Sequence, residues 1–458
     1  MTLSQSSFKK IKKIVGTQAC TRKIEDLALY AYDATAITHL PDAVVFPENA
    51  SQIASILKLA NQENFYVIPR GSGSGMTGGS IAVYGGVVLV MNRMNRIITI
   101  DTKNLTAIAE PGVITKKLHD EVAKYNLFYP PDPSSSAFST LGGNLAECAG
   151  GPHAVKYGVT RDYVLGLEAV LPTGEIIQTG VQTKKGVAGY DLTRLLVGSE
   201  GTLCVITRIN LRLIAQPETV RTMTAFFPDI KTAITAVTAI IQQGIMPRTL
   251  EFMDQASINC VADKFETDLP TNANALLIIE VDGSLPQTAT VAKEIEILCR
   301  QHHSIETKVA GTSQEAESFW KARKAISPAL FQYGPHKINE DIVVPVNKLP
   351  DIVEKISALK KKTGLTMVSF GHAGDGNIHF NIMLDKRDKK KLKKAEKAVE
   401  EMFDYTLALG GTISGEHGIG ITKAPFLTKE IGKVELALMK KIKNIFDPKG
   451  VLNPGKIF

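Results

Sequence analysis

Two glycine-rich segments in the second half of the chain hold three of its nine histidines. One reads Phe370-Gly371-His372-Ala373-Gly374-Asp375-Gly376-Asn377-Ile378-His379-Phe380-Asn381; the other reads Gly410-Gly411-Thr412-Ile413-Ser414-Gly415-Glu416-His417-Gly418-Ile419-Gly420. A Gly-Asp-Gly turn comes after His372, so His379 starts a strand that returns beside it. Two imidazoles and the Glu416 carboxylate make a three-ligand set with open positions, the arrangement of a catalytic divalent ion. His417 is then available as a base once the ion has acidified a substrate hydroxyl. The plainer alternative is a set of turn and capping residues. A Glu-His pair bracketed by glycines, added to the histidine pair, favours the metal set. Asp375 reads as a turn former, and Cys148 and Cys204 as small core residues. Trp320 reads as core, and Arg323, three residues on along the same helix side, reads on its own as a surface charge.

The other chemistry-bearing stretch is Pro69-Arg70-Gly71-Ser72-Gly73-Ser74-Gly75-Met76-Thr77-Gly78-Gly79-Ser80, after the apolar run Phe65–Ile68. Glycines let successive N–H groups approach an anion, and such groups aimed at one point form a nest for a diphosphate. Gly73, Gly75 and Gly78 spell G-x-G-x-x-G, but that fingerprint requires a helix next. Here a turn and the strand Val87–Met91 come next, so the NAD-type Rossmann unit is rejected and a diphosphate-bearing cofactor is kept.

Several elements position these segments. A helix over Ile53–Ala60 precedes the glycine loop, and strands come after it at 87–91, 97–101 and 105–110. A helix over Ile114–Lys124 has Thr115 as its expected cap. Pro130 to Asn144 and the glycines to Gly158 read as a long functional loop. From about residue 220, strands alternate with helices: strands at 222–227, 249–253, 277–281, 342–344 and 366–370, helices at 230–243, 290–302, 315–330 and 349–362. That alternation predicts an antiparallel sheet covered on one face by helices. Lys386 to Lys397 reads as a solvated helix start.

The 458 residues suffice for two or three domains, and the net charge of +7 helps an anionic substrate approach without indicating nucleic acid. No apolar run reaches membrane-spanning length, and no secretory signal is visible at the N-terminus. A cytoplasmic location is the expectation, compatible with peripheral contact on the inner membrane face. The five cysteines are scattered, without the spacing of an iron–sulfur or zinc motif.

From about Pro41 to Phe458 the chain resembles the FAD-linked oxidases of the vanillyl-alcohol-oxidase type, in their D-2-hydroxyacid dehydrogenase branch. The motifs that carry this are PRGSGSGMTGG, PPDPSS, GGN, GSEGTL, GHAGDGNIHFN, GEHGIG and FDPKGVLNPGK. The resemblance implies an α+β fold: a two-subdomain FAD-binding domain of the PCMH type plus a ferredoxin-like cap with an antiparallel sheet. Its implied limits are an N-terminal helical segment over 1–40, the FAD domain over 41–220, the cap over 221–415, and a segment over 416–458 that returns to the FAD domain.

The implied FAD residues are Arg70, Gly71, Ser72, Gly73, Ser74, Gly75, Thr77 and Gly78, with Pro131, Asp132 and Ser135 around the pyrophosphate. Gly142, Gly143, Asn144, Gly158, Glu200, Gly201 and Asn453 complete that set. His372, His379 and Glu416 would hold zinc or a similar divalent metal, Asn381 would assist, and His417 would be the base. Arg323 would grip the substrate carboxylate. The implied reaction passes a hydride from the α-carbon of a 2-hydroxy acid to flavin N5, giving the 2-oxo acid.

The 69–80 loop has no histidine for covalent attachment, so FAD is expected to be non-covalent. Asn339 stands where some relatives have a lysine, which points to D-lactate or glycolate over D-2-hydroxyglutarate. Electrons would leave to a quinone, a cytochrome, oxygen or an iron–sulfur partner subunit. The rival readings are an NAD-dependent dehydrogenase, a metal-dependent hydrolase, and the FAD-binding subunit of a larger glycolate oxidase complex.

Overall fold

The computed structural model describes residues 3–183, 185–265 and 269–458. The chain divides into two compact units. One takes the residues up to Gly150, then Val159–Gln216 and Glu416–Phe458; the other takes Gly151–Gly158 and Pro217–Gly415.

In the first unit, strands Ala43–Val45 and Val67–Arg70 both pair in parallel with Val87–Val90, which lies between them. All four residues of Val87–Val90 are buried, as expected of a strand packed on both faces. Helix Ala50–Glu63 covers one face. It is capped by Asn49, whose side chain accepts the Gln52 N–H. Helix Gln5–Val15 buries Phe8, Ile11 and Val15 in the same core. The described part of the 1–40 segment, set apart in the sequence reading, therefore contributes to this unit. The glycine loop leads into no helix; it passes through turns to Val87. A second, five-stranded antiparallel sheet runs in the order 97–101, 106–109, 205–212, 164–170, 176–180.

Two local expectations need correction here. Leu141–Glu147, read as loop, is a helix capped by Thr140, whose hydroxyl accepts the Gly143 N–H. Its paired glycines hide any apolar period. The helix at Thr115–Ala123 is preceded by Ile114 in the cap position. Thr115 instead lies buried and donates to the Ser139 carbonyl at 3.1 Å.

The second unit is built on a seven-stranded sheet in the order 306–309, 219–227, 275–283, 249–254, 366–372, 377–384, 336–343, and every pair is antiparallel. Helices Ile230–Gln242, Leu285–Gln301, Leu349–Thr363 and Lys389–Ala408 pack side by side on it. Helices Gln255–Cys260 and Ser313–Ala329 form a further layer over Phe226, Met253, Ile278 and Phe370. Helices thus cover more than the one face expected, because helical periodicity says which side of a helix is buried and not against which sheet face. The last strand starts at His336 rather than Ile342. Its alternating Lys337, Asn339 and Asp341 look loop-like in the sequence for want of apolar partners.

The lysines that open helix Lys389–Ala408 are exposed, as a solvated helix start requires. Cys204 is buried, and burial pushes its thiol up to about 12; Cys148 is only half-buried.

Candidate cofactor and metal site

Strand register builds the histidine site. In antiparallel pairs, directly opposed residues share a face. Glu251 opposes His372, Phe370 opposes His379, and Val368 opposes Asn381. Asp341 opposes His379, and Asn339 opposes Asn381. One face therefore gathers Glu251, His372, His379, Asn381, Asn339 and Asp341. The tight turn behind His372 is closed by Asp375, whose carboxylate accepts the Asn377 N–H at 3.2 Å. Gly376 there has φ +84°, and a Cβ would lie 1.9 Å from the Val344 carbonyl oxygen.

The two imidazoles point their Nε2 atoms at each other, 3.4 Å apart. Two nitrogens about 2.0–2.1 Å from one tetrahedral ion stand about 3.3–3.4 Å apart, so the pair fits such an ion. Behind His372, Nδ1 and Glu251 Oε1 share a hydrogen bond at 2.5 Å. The other Glu251 oxygen accepts from Arg323 Nε at 2.9 Å and pairs with Nη2 at 2.7 Å. Burial pushes the Glu251 carboxyl up, but the His372 and Arg323 charges outweigh it and hold it below its usual range. Arg323 is 5% exposed and sits over the Phe370 ring. The surface-charge reading of this arginine is therefore corrected. Trp320, on the same side, donates to Glu280 at 2.7 Å.

Asn381 is fully buried. It accepts from Asn339 Nδ2 at 2.7 Å and donates to the His379 carbonyl at 3.1 Å. Asp341 receives the Gly415 N–H at 2.9 Å and so fixes the backbone just ahead of Glu416. One ligand atom each from His372, His379 and Glu416 falls within 4.8 Å of the other two. That donor set, two imidazoles and a carboxylate, suits zinc.

In the first unit, the glycine loop is held from below. Arg70, expected at the pyrophosphate, turns its guanidinium back into the protein. It donates to the Tyr32 carbonyl at 2.7 Å and the Ser80 hydroxyl at 3.1 Å. Its side chain supports the loop, and the loop's backbone N–H groups remain for an anion. Those of Ser72 to Met76 donate to no backbone carbonyl among the described residues. A cleft of about 500 Å³ opens at the start of this run, lined by Tyr30, Arg70, Gly71, Ser72, Asn95 and Thr140. Free N–H groups beside an open cleft fit a cofactor diphosphate.

The remaining expected FAD residues divide by role. The Pro131 carbonyl accepts from His119, and Ser135 closes a turn through its carbonyl. Asp132 is half-buried. Gly142, Gly143 and Asn144 lie on helix Leu141–Glu147, with Asn144 donating to Thr115 at 2.8 Å. Gly158 closes the short helix Ala154–Tyr157 of the second unit. The crest residues Ser74 and Gly75 are part-exposed, and Gly78 abuts Ile421.

Thr77 and Glu200, expected at FAD, hold the segment that carries His417. Thr77 Oγ1 donates to the His417 carbonyl at 3.1 Å. The Glu200 carboxylate accepts the N–H groups of Ile419 at 2.8 Å and Gly420 at 2.7 Å. Burial pushes this carboxyl up, against those two N–H groups. Asn453 Nδ2 donates to the carbonyls of Gly79 and Glu200, next to Gly201, and its Oδ1 is buried without a hydrogen bond. Glu200 and Asn453 both have positive φ, 51° and 44°. Such strain at non-glycine residues collects at functional sites.

Glu251 is the residue that sequence reasoning missed. Its signal was a charged residue inside the strand Thr249–Met253, where apolar neighbours imply burial. A buried charge requires partners.

An open glycine loop, a seven-stranded antiparallel sheet and a buried histidine pair fit an FAD-binding oxidoreductase. The chain matches the FAD binding domain over residues 41–180 and the C-terminal domain of FAD linked oxidases over 216–457. It belongs to the FAD-linked oxidase family. It is 43% identical over 431 residues to glycolate oxidase subunit GlcD of Bacillus subtilis, covering 94% of this chain and 92% of that one. It is 34% identical to D-lactate dehydrogenase of Anaerostipes hadrus, covering 91% and 89%. In fold it is similar to p-cresol methylhydroxylase, with TM-score 0.82, 17% identity and coverage of 99% and 97%. It is also similar to 4-ethylphenol oxidase from Gulosibacter chungangensis, with TM-score 0.79, 18% identity and coverage of 99% and 98%. Among the described residues no helix is long and apolar enough to cross a membrane.

Proposed function

We propose that this chain oxidises a short D-2-hydroxy acid, D-lactate or glycolate, to its 2-oxo acid, with non-covalent FAD and a divalent ion, zinc or similar. The observation that carries the reading is the His372–His379 pair, with Nε2 atoms 3.4 Å apart and Glu251 behind one ring. The names of the bacterial relatives supply the substrate class.

FAD, when bound, supplies a two-electron acceptor, and the ion supplies a Lewis acid for the substrate hydroxyl. His372, His379 and Glu416 would hold the ion. Glu251 occupies Arg323 Nε and Nη2, which leaves Nη1 as donor to the substrate carboxylate. His417 takes the hydroxyl proton on its ring nitrogen as the α-hydrogen leaves with its electron pair. Asn381 keeps His379 in place through the backbone. The Ser72–Met76 backbone N–H groups would hold the FAD diphosphate, Asn453 would stand near the flavin, and Gly201 would belong to the same cofactor-binding set.

The neutral Asn339–Asn381 pair offers no cation to a second carboxylate, which supports a short substrate over D-2-hydroxyglutarate. The Bacillus relative is named as a subunit, which supports a partner chain; the electron acceptor in this reading is a quinone, a cytochrome, oxygen or an iron–sulfur partner subunit. A cytoplasmic site of action, with peripheral membrane contact through such a partner, belongs to the same reading.

Metal removal tests the proposal. Turnover of D-lactate or glycolate with an artificial acceptor should fall at least tenfold after chelation and return on adding zinc, with FAD retained throughout. Full activity in protein shown to be metal-free would refute it.

A further inference from the structure

Glu251 is fully buried and spends both oxygens on different tasks. Oε1 is hydrogen-bonded to His372 Nδ1, and Oε2 accepts from Arg323 Nε and pairs with Nη2. An ionised carboxylate only accepts hydrogen bonds. While it faces His372, the proton stays on Nδ1 and the Nε2 lone pair is left for the ion. The same carboxylate sets the angle of the Arg323 guanidinium, which Phe370 supports from its ring face, 4.7 Å away.

Resting on the function proposed above, we propose that Glu251 is a positioning residue that joins two recognition tasks. It fixes the metal-binding tautomer of His372 and aims Arg323 at the substrate carboxylate. This role comes from strand register, because Glu251 and His372 are directly opposed across neighbouring strands.

The isosteric variant Glu251→Gln separates the tasks. An amide has one acceptor oxygen and one donor nitrogen. If its oxygen serves Arg323, its NH₂ donates to His372 Nδ1. The ring proton then moves to Nε2, where it blocks the ion. If its oxygen serves His372, its NH₂ faces the guanidinium, donor against donor. Neither orientation preserves both contacts. Loss of a carboxylate behind a ligating histidine typically costs about 10–100-fold in metal affinity.

The test is competition between FAD-loaded full-length protein and a chromophoric zinc chelator. Wild type, E251Q and R323Q are compared, with flavin content as the check on folding. We expect E251Q to bind zinc about 10–100-fold more weakly than wild type. R323Q, which keeps the His372 contact, should retain zinc affinity while its KM for the 2-hydroxy acid rises. Equal zinc affinity in E251Q and wild type would overturn the inference. So would equal losses in E251Q and R323Q, which would reduce Glu251 to a partner of Arg323.

A second readout needs no variant. Nitrogen NMR of metal-free wild type with labelled histidine should find His372 as the Nδ1–H tautomer, and the Nε2–H tautomer would overturn the inference. Wild type that takes up no zinc would overturn the metal reading itself, and this inference with it. Zinc uptake unaffected by E251Q would remove only the role of Glu251.

Discussion

His417→Ala should bind FAD as wild type does and turn over about 10²–10⁴-fold more slowly, the range for losing a positioned general base. The substitution leaves the local backbone intact. Thr77 binds the His417 carbonyl, and the Glu200 carboxylate binds the N–H groups of residues 419 and 420. None of these backbone contacts involves the imidazole, whose Nε2 lies 4.0 Å from Glu416 Oε1, so the loop and its FAD content should stay close to wild type. The measurement is steady-state turnover with a dye acceptor, beside the flavin-to-protein absorbance ratio. A loss confined to kcat fits a group that acts on the reacting proton. Retained turnover would remove the base assignment. Parallel loss of flavin would mean that the ring serves binding instead.

Gly73→Ala should yield protein with little or no FAD. Gly73 has φ +73°, and a Cβ there would lie 2.0 Å from Arg70 Nη2 and 2.5 Å from its Cζ. The left-handed conformation alone costs a residue with a Cβ about 1–2 kcal/mol. The clash adds to this, because Arg70 is held by Tyr32 and Ser80 and is itself nearly buried, at 5% exposure. Either the guanidinium leaves its pocket or the Ser72–Met76 crest shifts, and both break the nest. Absorbance of the purified variant, before and after incubation with excess FAD, reads the effect directly. A fully yellow variant would contradict the placement of the diphosphate on this loop.

Much of the candidate site was legible because its residues declare themselves locally. A glycine run after a strand and a His-turn-His hairpin need only short-range reasoning. Rejecting a Rossmann unit is likewise a local matter, since it needs only the absence of a helix directly after the loop, and the turns from Gly71 to Gly86 bear it out. The features that escaped were set by long-range pairing. Glu251 and His372 are 121 residues apart in the chain, and nothing within either segment reveals that they oppose each other across two strands. Arg323 looks like a surface charge because helix periodicity cannot show that a buried carboxylate waits opposite. Arg70 has the right type for an anion, yet Gly73 leaves the space into which its guanidinium folds back. Lys337, Asn339 and Asp341 are polar residues on one face of a strand, and polarity alone makes that strand look like a loop.

The most direct test of the proposed function is anaerobic bleaching of the flavin band near about 450 nm, the loss of colour that accompanies transfer of two electrons to the cofactor. D- and L-lactate, glycolate, D-malate and D-2-hydroxyglutarate would each be added to protein with and without prior chelation. The account predicts rapid bleaching by D-lactate or glycolate that chelation abolishes and zinc restores. A fully yellow protein that none of these acids bleaches would contradict it.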